Sequence, residues 1–416
     1  MGSLLISESS QVAACRWDEL LGRTLIVMTA GGNAMELSFE GGAVEVVGAL
    51  DFDRADAGIT PRRLPAWTRP QIPDVFMDFM VTLGSGVRIM LRTDSPWIEL
   101  DAATTGFNVV GSPVQLVNFD LVVDGRRVAR TEDATGTRLI VDPVTADLKV
   151  QPGEPVTVRF DDLGDAMKTV EIWLPQNAAT QLRAVRVADG SAVEPAPRTK
   201  RRWAHYGSSI SHCLEAHGPT EVWPAVVASV GEVDLLQFGF AGQCDLDQFV
   251  ARSIVAQRPD LISLKVGINV VNANSFTTRT FASAVHGFLD TLRDALPDTP
   301  ILVVSPIICP LVEDHPGPTI PTPDGTFRIV ADRPAELVLP SLTLRVIRAI
   351  LAAIVTARQA SGDSNLTYVD GLELFGEADA PTLPDGLHPD GDGYLRIAER
   401  FAAIAFAPGG PFAPPG

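Results

Sequence analysis

All six histidines of this 416-residue chain fall after residue 200, at His205, His212, His217, His286, His315 and His388. The last closes the segment Asp385-Gly386-Leu387-His388, just ahead of an apolar stretch with helical spacing. Far upstream, Gly207-Ser208-Ser209-Ile210 follows a strand-like run and precedes a helical one. A hydroxyl on a strand-to-helix turn, with a carboxylate and an imidazole on a later turn, is the set that nucleophilic acyl chemistry needs. On a tight turn, an Asp three residues before a His can accept from its Nδ1. That fixes the tautomer and leaves Nε2 free to take a proton from a serine. The chemistry is therefore expected in the second half of the chain, with Ser209, His388 and Asp385 carrying it.

Each piece also has an ordinary reading. A Gly-Ser-Ser ahead of a helix is common N-capping, and Ser208 and Ser211 crowd the assignment of Ser209. An Asp in a glycine turn is usually turn chemistry. Gly239-Phe240-Ala241-Gly242 ends one strand-like run and Gly267-Ile268-Asn269 ends the next. The Gly242 N–H, the Asn269 side-chain amide and the Ser209 N–H suit the developing charge of a tetrahedral intermediate. Gly and Asn after strands are equally at home in plain turns.

The elements that must hold these groups follow from periodicity. From about 20 to 190 the chain alternates apolar and polar residues in short runs. Val87, Ile89 and Leu91 oppose Arg88 and Arg92; Val156, Val158 and Phe160 repeat the pattern, as do Val170, Ile172 and Leu174. Asp124-Gly125, Pro152-Gly153 and Asp189-Gly190 punctuate them as turns. This predicts an all-β sandwich over residues 1–191, without helices. The Pro-rich stretch within 192–201 reads as a linker.

From 202 to 407 the texture changes. Apolar runs at 203–207, 235–241, 261–266, 301–308 and 366–369 alternate with helix-length segments near 221–229, 246–257, 276–295, 341–360 and 393–405. Strands apolar on both faces, alternating with helices, predict a parallel sheet covered on each side. Ligands bind beyond the carboxyl ends of such strands, where the candidate residues stand. Residues 311–340 are too long and Pro-rich for a simple connection. They read either as a wall over the site or as a surface excursion. Residues 408–416 read as a Pro/Gly-rich tail.

Composition bounds the rest. A hydrophobic fraction of 46% and a charged fraction of 20% are those of a packed globular protein. The net charge of −18 opposes nucleic acid and anionic membrane surfaces. No apolar run approaches the ~18 residues of a membrane span, and no secretory signal is evident. Cys15, Cys213, Cys244 and Cys309 are scattered and read as reduced thiols of a cytoplasmic protein. His212, Cys213 and His217 are close in sequence, but lack the paired ligand spacing of a structural metal site. No phosphate-cradling glycine motif is present. The expectation is no metal and no cofactor, a small-molecule ester as the partner, and no nucleic acid or membrane, with self-association left open.

Taken together, the order Ser, Gly, Asn and Asp-x-x-His, each after its own strand, resembles the SGNH (GDSL-type) hydrolases over about residues 200–405. YGSSIS stands at the GDS block, FAGQ supplies the glycine, VGIN the asparagine and LPDGLHPDGDGY the Asp–His block. The resemblance implies a flavodoxin-like α/β domain. It implies Ser209 as nucleophile, His388 as base then acid, and Asp385 as its orienter. Ser209, Gly242 and Asn269 would be the oxyanion donors. Two positions depart from the family: Ser208 replaces the usual Asp, and Val270 follows the Asn. A jelly-roll-like sandwich ahead of such a domain resembles the two-domain carbohydrate esterases. The implied activity is a serine esterase acting on short acyl esters, acetyl included, of a sugar or small polar metabolite. An acyltransferase with the same groups is one rival. A carbohydrate-binding protein with a decayed catalytic domain is another.

Overall fold

The computed structural model describes residues 34–39, 42–111, 114–132, 136–142, 145, 147–332 and 340–414. Cys15 lies outside them. The N-terminal half is β-rich, as its alternation requires. Two largely antiparallel sheets face each other across one core. Ile89, Leu91 and Ile172 of one sheet meet Leu100, Val185 and Val187 of the other. Asp124 and Gly125, at φ 46° and 79°, make the tight turn between Asp120–Val123 and Arg126–Arg130. Both residues have positive φ, the requirement of a two-residue hairpin whose twist matches its strands.

One expectation fails here. Val75–Thr82 is an α-helix, capped by Asp74 Oδ1 accepting from Met77 N–H at 2.8 Å. The sequence showed no helical period because this helix is apolar nearly all round. Met77, Met80 and Val81 are fully buried, and the helix lies between the β-rich half and the loops that follow it in the second half.

The second half holds a five-stranded parallel sheet. Its spatial order is Asp234–Gly239, Arg202–Gly207, Leu261–Lys265, Ile301–Val304, Leu366–Val369. Numbered along the chain this is 2-1-3-4-5, the flavodoxin-like order. Trp223–Val230 and Gly391–Ala405 cover one face, where Trp203 stacks on Phe401 and Trp223 packs tilted against both. Gln248–Gln257, Thr278–Ala295 and Leu344–Ala360 cover the other, with Tyr206 flat on Phe288 at 5.1 Å. Gly207 is in register with both Gly239 and Lys265. The first three strands therefore end at one level, and their following loops leave the sheet side by side.

The stretch read as a linker is tied down. Val193–Glu194 pair antiparallel with Arg92 and Thr93 of the β-rich half. The Arg198 guanidinium reaches Asp234, which also receives Arg88 from the first half. Arg88, read as the polar side of its strand, is thus buried at the junction. The tail is held too: Phe412 is fully buried, and its carbonyl accepts from Arg201 at 2.7 Å.

Candidate active site

The turn after the first parallel strand gives its three serines three different tasks. Ser208 is the N-cap of the short helix Ser209–His212, its Oγ accepting from Ile210 N–H at 3.3 Å. Ser211 turns inward, its Oγ 2.8 Å from Nε2 of the buried His205. Ser209, capped by neither, extends its hydroxyl to Nε2 of His388 at 2.9 Å. The capping role that competed for Ser209 belongs to its neighbour. Gly207 is required beneath this turn, because a Cβ there would lie 2.2 Å from Ser211 Oγ. Trp223 Nε1–H donates to the Ile210 carbonyl at 2.8 Å and braces the turn from below.

The imidazole is placed by its own turn. Asp385 Oδ1 accepts from the backbone N–H of Leu387 at 2.9 Å and of His388 at 2.7 Å, while Oδ2 accepts from His388 Nδ1–H at 2.6 Å. A carboxylate in this pairing accepts, so in the neutral imidazole the proton sits on Nδ1 and Nε2 is the acceptor facing Ser209. Gly386, at φ +81°, supplies the left-handed residue the turn needs. Burial works to raise the Asp385 carboxyl. Its bond and charge attraction to His388 outweigh that and hold it below the usual carboxylate range. Burial likewise opposes a charged His388. Glu215 and then Asp385 override it and push the imidazole up to about 9.

The loops carrying Gly242 and Asn269 flank this group. Gly242 sits at φ +70° on the turn after the second strand. Asn269 stands at the start of Ile268–Asn272 after the third. Asn269 Oδ1 accepts from Cys244 N–H at 3.0 Å, which fixes the amide and leaves Nδ2 with no partner among the described residues. The structure thus brings Ser209, His388 and Asp385 into one hydrogen-bonded chain. It sets Gly242 and Asn269 on the two adjoining loops. A hydroxyl so bonded can give its proton to Nε2 as it attacks a carbonyl.

His212, Cys213 and His217 do not converge as metal ligands would. His212 Nε2–H donates to the Gln176 carbonyl at 2.9 Å, and its Nδ1 accepts from Ala241 N–H at 3.3 Å. Burial, reinforced by the Arg63 charge, holds it neutral. Cys213 packs in the core with its Sγ near the Ile210 carbonyl, and His217 pairs with Asp392 on the surface.

Several residues around the site had no legible sequence signal. Arg63, from the β-rich half, donates to the carbonyls of Gly239 and Met80 at 2.6 Å each. Ser85 donates to the His212 carbonyl at 2.9 Å. The first half therefore buttresses the loops behind Ser209 and Gly242. Phe76 lies on Gly242: a Cβ added there would be 3.2 Å from its ring. Within residues 311–340, the described part next to the site is a hairpin. Thr319–Pro321 and Phe327–Ile329 form a hairpin that sets Phe327 edge-on to His388 at 5.9 Å, its N–H on the Asp385 carbonyl. Residues 333–339 lie outside those described.

The family model of GDSL-like lipases and acylhydrolases matches residues 205–396, which span every strand-end loop described above. Residues 205–396 are a GDSL-like lipase/acylhydrolase domain. No curated protein matches the chain significantly in sequence. Among solved structures, the chain is similar to the salicylyl-acyltransferase SsfX3 from a tetracycline biosynthetic pathway. The two are 25% identical with a TM-score of 0.72, over 88% of this chain and 95% of that one. It is also similar to a GDSL-like lipase structure from Bacteroides ovatus (17% identity, TM-score 0.61, 89% and 96% covered). An active site mutant of a family two carbohydrate esterase from Clostridium thermocellum matches at 14% identity and TM-score 0.55, with 87% and 97% covered. The last two likenesses show the fold alone. All three span both halves, so the pairing of a β-rich half with a GDSL-like domain is a shared layout.

Proposed function

We propose that this protein is a serine acyl hydrolase that works through an acyl-enzyme. The observation that carries the reading is the continuous chain from Ser209 Oγ to His388 Nε2 and from His388 Nδ1 to Asp385. Ser209 Oγ attacks an ester carbonyl and passes its proton to His388 Nε2. The carbonyl oxygen becomes an oxyanion facing the Ser209 and Gly242 N–H groups and Asn269 Nδ2. His388 returns the proton to the departing alcohol, leaving an ester on Ser209. Water then repeats the sequence, its proton going to His388, and releases the acid. Asp385 stays ionised and stabilises the imidazolium.

A short acyl group suits a site with Phe76 against Gly242 and Phe327 edge-on to His388. Acetyl esters of a sugar or small polar alcohol are the substrates of this reading. The likeness to carbohydrate esterases gives fold-level support only. Cys213, Cys244 and Cys309 are all free and buried, which fits a reducing, cytoplasmic setting. Among the described residues no helix is long and apolar enough to cross a membrane.

Acyl transfer is the second reading, with an alcohol in place of water at the deacylation step. It is favoured by the hairpin covering His388 and by the similarity over nearly the whole chain to an acyltransferase. The test is a p-nitrophenyl ester series of rising chain length, run with wild type and Ser209→Ala and with and without acceptor alcohols. Turnover of short esters that disappears in Ser209→Ala supports the hydrolase. New esters formed in preference to free acid shift the assignment to transfer. Equal turnover by Ser209→Ala would overturn both.

A further inference from the structure

An oxyanion is held only if its donors keep their spacing, and two of the donors named above sit on separate loops. The Ser209 N–H opens the turn after the first parallel strand, and the Gly242 N–H lies on the turn after the second. The backbone joins the two strand ends, with Phe240 N–H donating to the Gly207 carbonyl at 2.9 Å. Beyond that bond a side chain takes over. Gln237, in the strand Asp234–Gly239, donates from Nε2 to the Ser211 carbonyl at 2.8 Å. Its Oε1 accepts from Gly239 N–H at 3.0 Å. One amide therefore bonds both the helix that carries Ser209 and the strand end from which the Gly242 turn departs.

The surroundings leave this amide no other arrangement. The Ser211 carbonyl only accepts and the Gly239 N–H only donates, so a single orientation satisfies both. Gly239 lies against the same helix: a Cβ there would fall 2.8 Å from His212 N and from the Ser211 carbonyl carbon. Gln237 is buried, and Gly86 of the β-rich half is seated on it, where a Cβ would fall 2.6 Å from Gln237 Cβ. His205 is in register with Gln237 on the first strand. Its Nε2 meets the Ser211 hydroxyl, while Gln237 meets the Ser211 carbonyl.

We propose that Gln237 is a positioning residue for the oxyanion site, its amide fixing the Ser209 helix and the Gly242 turn at the spacing the oxyanion requires. This rests on the hydrolase reading above. Without the amide, the Ser211 carbonyl is left with the weak thiol donor of Cys213 at 3.4 Å. The fold has other holds nearby, since Arg63 still bonds the Gly239 carbonyl and Ser85 the His212 carbonyl. What is lost is the fixed distance between two N–H groups. That distance matters most when charge develops on the carbonyl oxygen, so the loss falls on the transition state and not on the bound ester.

The test compares Gln237→Met and Gln237→Glu with wild type. Methionine keeps the length and removes both bonds. A protonated carboxyl keeps both, and an ionised one loses the donor to the Ser211 carbonyl. The readouts are kcat and KM for p-nitrophenyl acetate, with kcat counted per site labelled by a fluorophosphonate, and inhibition by a methyl trifluoromethyl ketone. Ser209 Oγ adds to that ketone to give an anionic hemiketal, so its affinity reports the oxyanion site. In Gln237→Met, kcat per labelled site should fall on the order of 10–10²-fold, with KM held and ketone binding weakened by a similar factor. In Gln237→Glu, kcat relative to wild type should fall as pH rises from 5.5 to 10. Counting labelled sites removes the effect of lost fold, which is all that a merely structural role would give. An unchanged kcat per site in Gln237→Met, or a loss carried by KM alone, overturns the inference. If that variant does not fold, Gln237→Glu decides, and activity equal to wild type at pH 10 overturns it. Failure of the hydrolase reading shows separately, as activity surviving in Ser209→Ala.

Discussion

Raising His388 from 6.5 to about 9 ties activity and stability to pH in opposite directions. As a base the imidazole must be neutral, so with a midpoint near 9 only about 1% of the resting protein is competent at pH 7. kcat/KM should climb about tenfold per unit between pH 6 and 8 and level off above 9. Stability runs the other way. A group whose folded value lies above its unfolded one contributes stability that is complete below the unfolded value. That contribution is lost as pH rises through the folded value. At ~1.4 kcal/mol per pH unit, His388 contributes about 3 kcal/mol below pH 6.5 that is gone above pH 9. The group is 13% exposed, so solvent screening does not erase the effect. The assay has two arms. One follows kcat/KM for p-nitrophenyl acetate from pH 5.5 to 10, corrected for spontaneous hydrolysis. The other measures the unfolding free energy of wild type minus that of His388→Asn across the same range, a difference that cancels the other titrating groups. The second quantity should shrink by about 3 kcal/mol as the first rises. An activity midpoint near 6.5, or a stability difference flat in pH, would refute the reasoning.

Three substitutions probe the remaining parts. Asp385→Asn removes the charge that fixes the tautomer and should lower kcat on the order of 10⁴-fold with the fold retained, as measured by steady-state kinetics and circular dichroism. Asn269→Ala deletes one oxyanion donor and should reduce kcat on the order of 10²–10³-fold with KM nearly unchanged; a fall in KM-dependent terms alone would remove it from that role. His212→Leu strips partners from the Gln176 carbonyl and the Ala241 N–H, each worth about 1–3 kcal/mol when buried. Its thermal unfolding should drop, and kcat should fall with it because Ala241 adjoins Gly242. Unchanged kcat would show that the His212 bridge from Gln176 to Ala241 does not position that loop.

Much of this was legible in the sequence, for reasons that differ between the halves. The parallel strands could be read because the inner ones and Asp234–Gly239 are buried on both faces, and the run Leu366–Val369 coincides with its strand. The Asp385–His388 turn was legible because its bonds are local, spanning three residues. Ser209 could be singled out only as one of three serines, because what separates them is direction. Ser208 closes its own helix and Ser211 meets His205, and neither fact has a spacing signature. The helix Val75–Thr82 was missed because burial on several sides erases amphipathic period. Arg63, Glu215 and Phe327 were missed because their partners lie far off in sequence: Arg63 and the Gly239 carbonyl are 176 residues apart. The stretch 192–201 looked like a linker from its prolines. It is tied down by a two-residue strand and by Arg198 on Asp234.

The most direct measurement is covalent. A fluorophosphonate probe should label the wild-type protein once, and peptide mass mapping should place the adduct on Ser209. Labelling should vanish in Ser209→Ala and persist in Ser208→Ala and Ser211→Ala. An adduct on another residue, or wild-type protein that stays unlabelled at pH 9 where His388 is half neutral, would contradict the account.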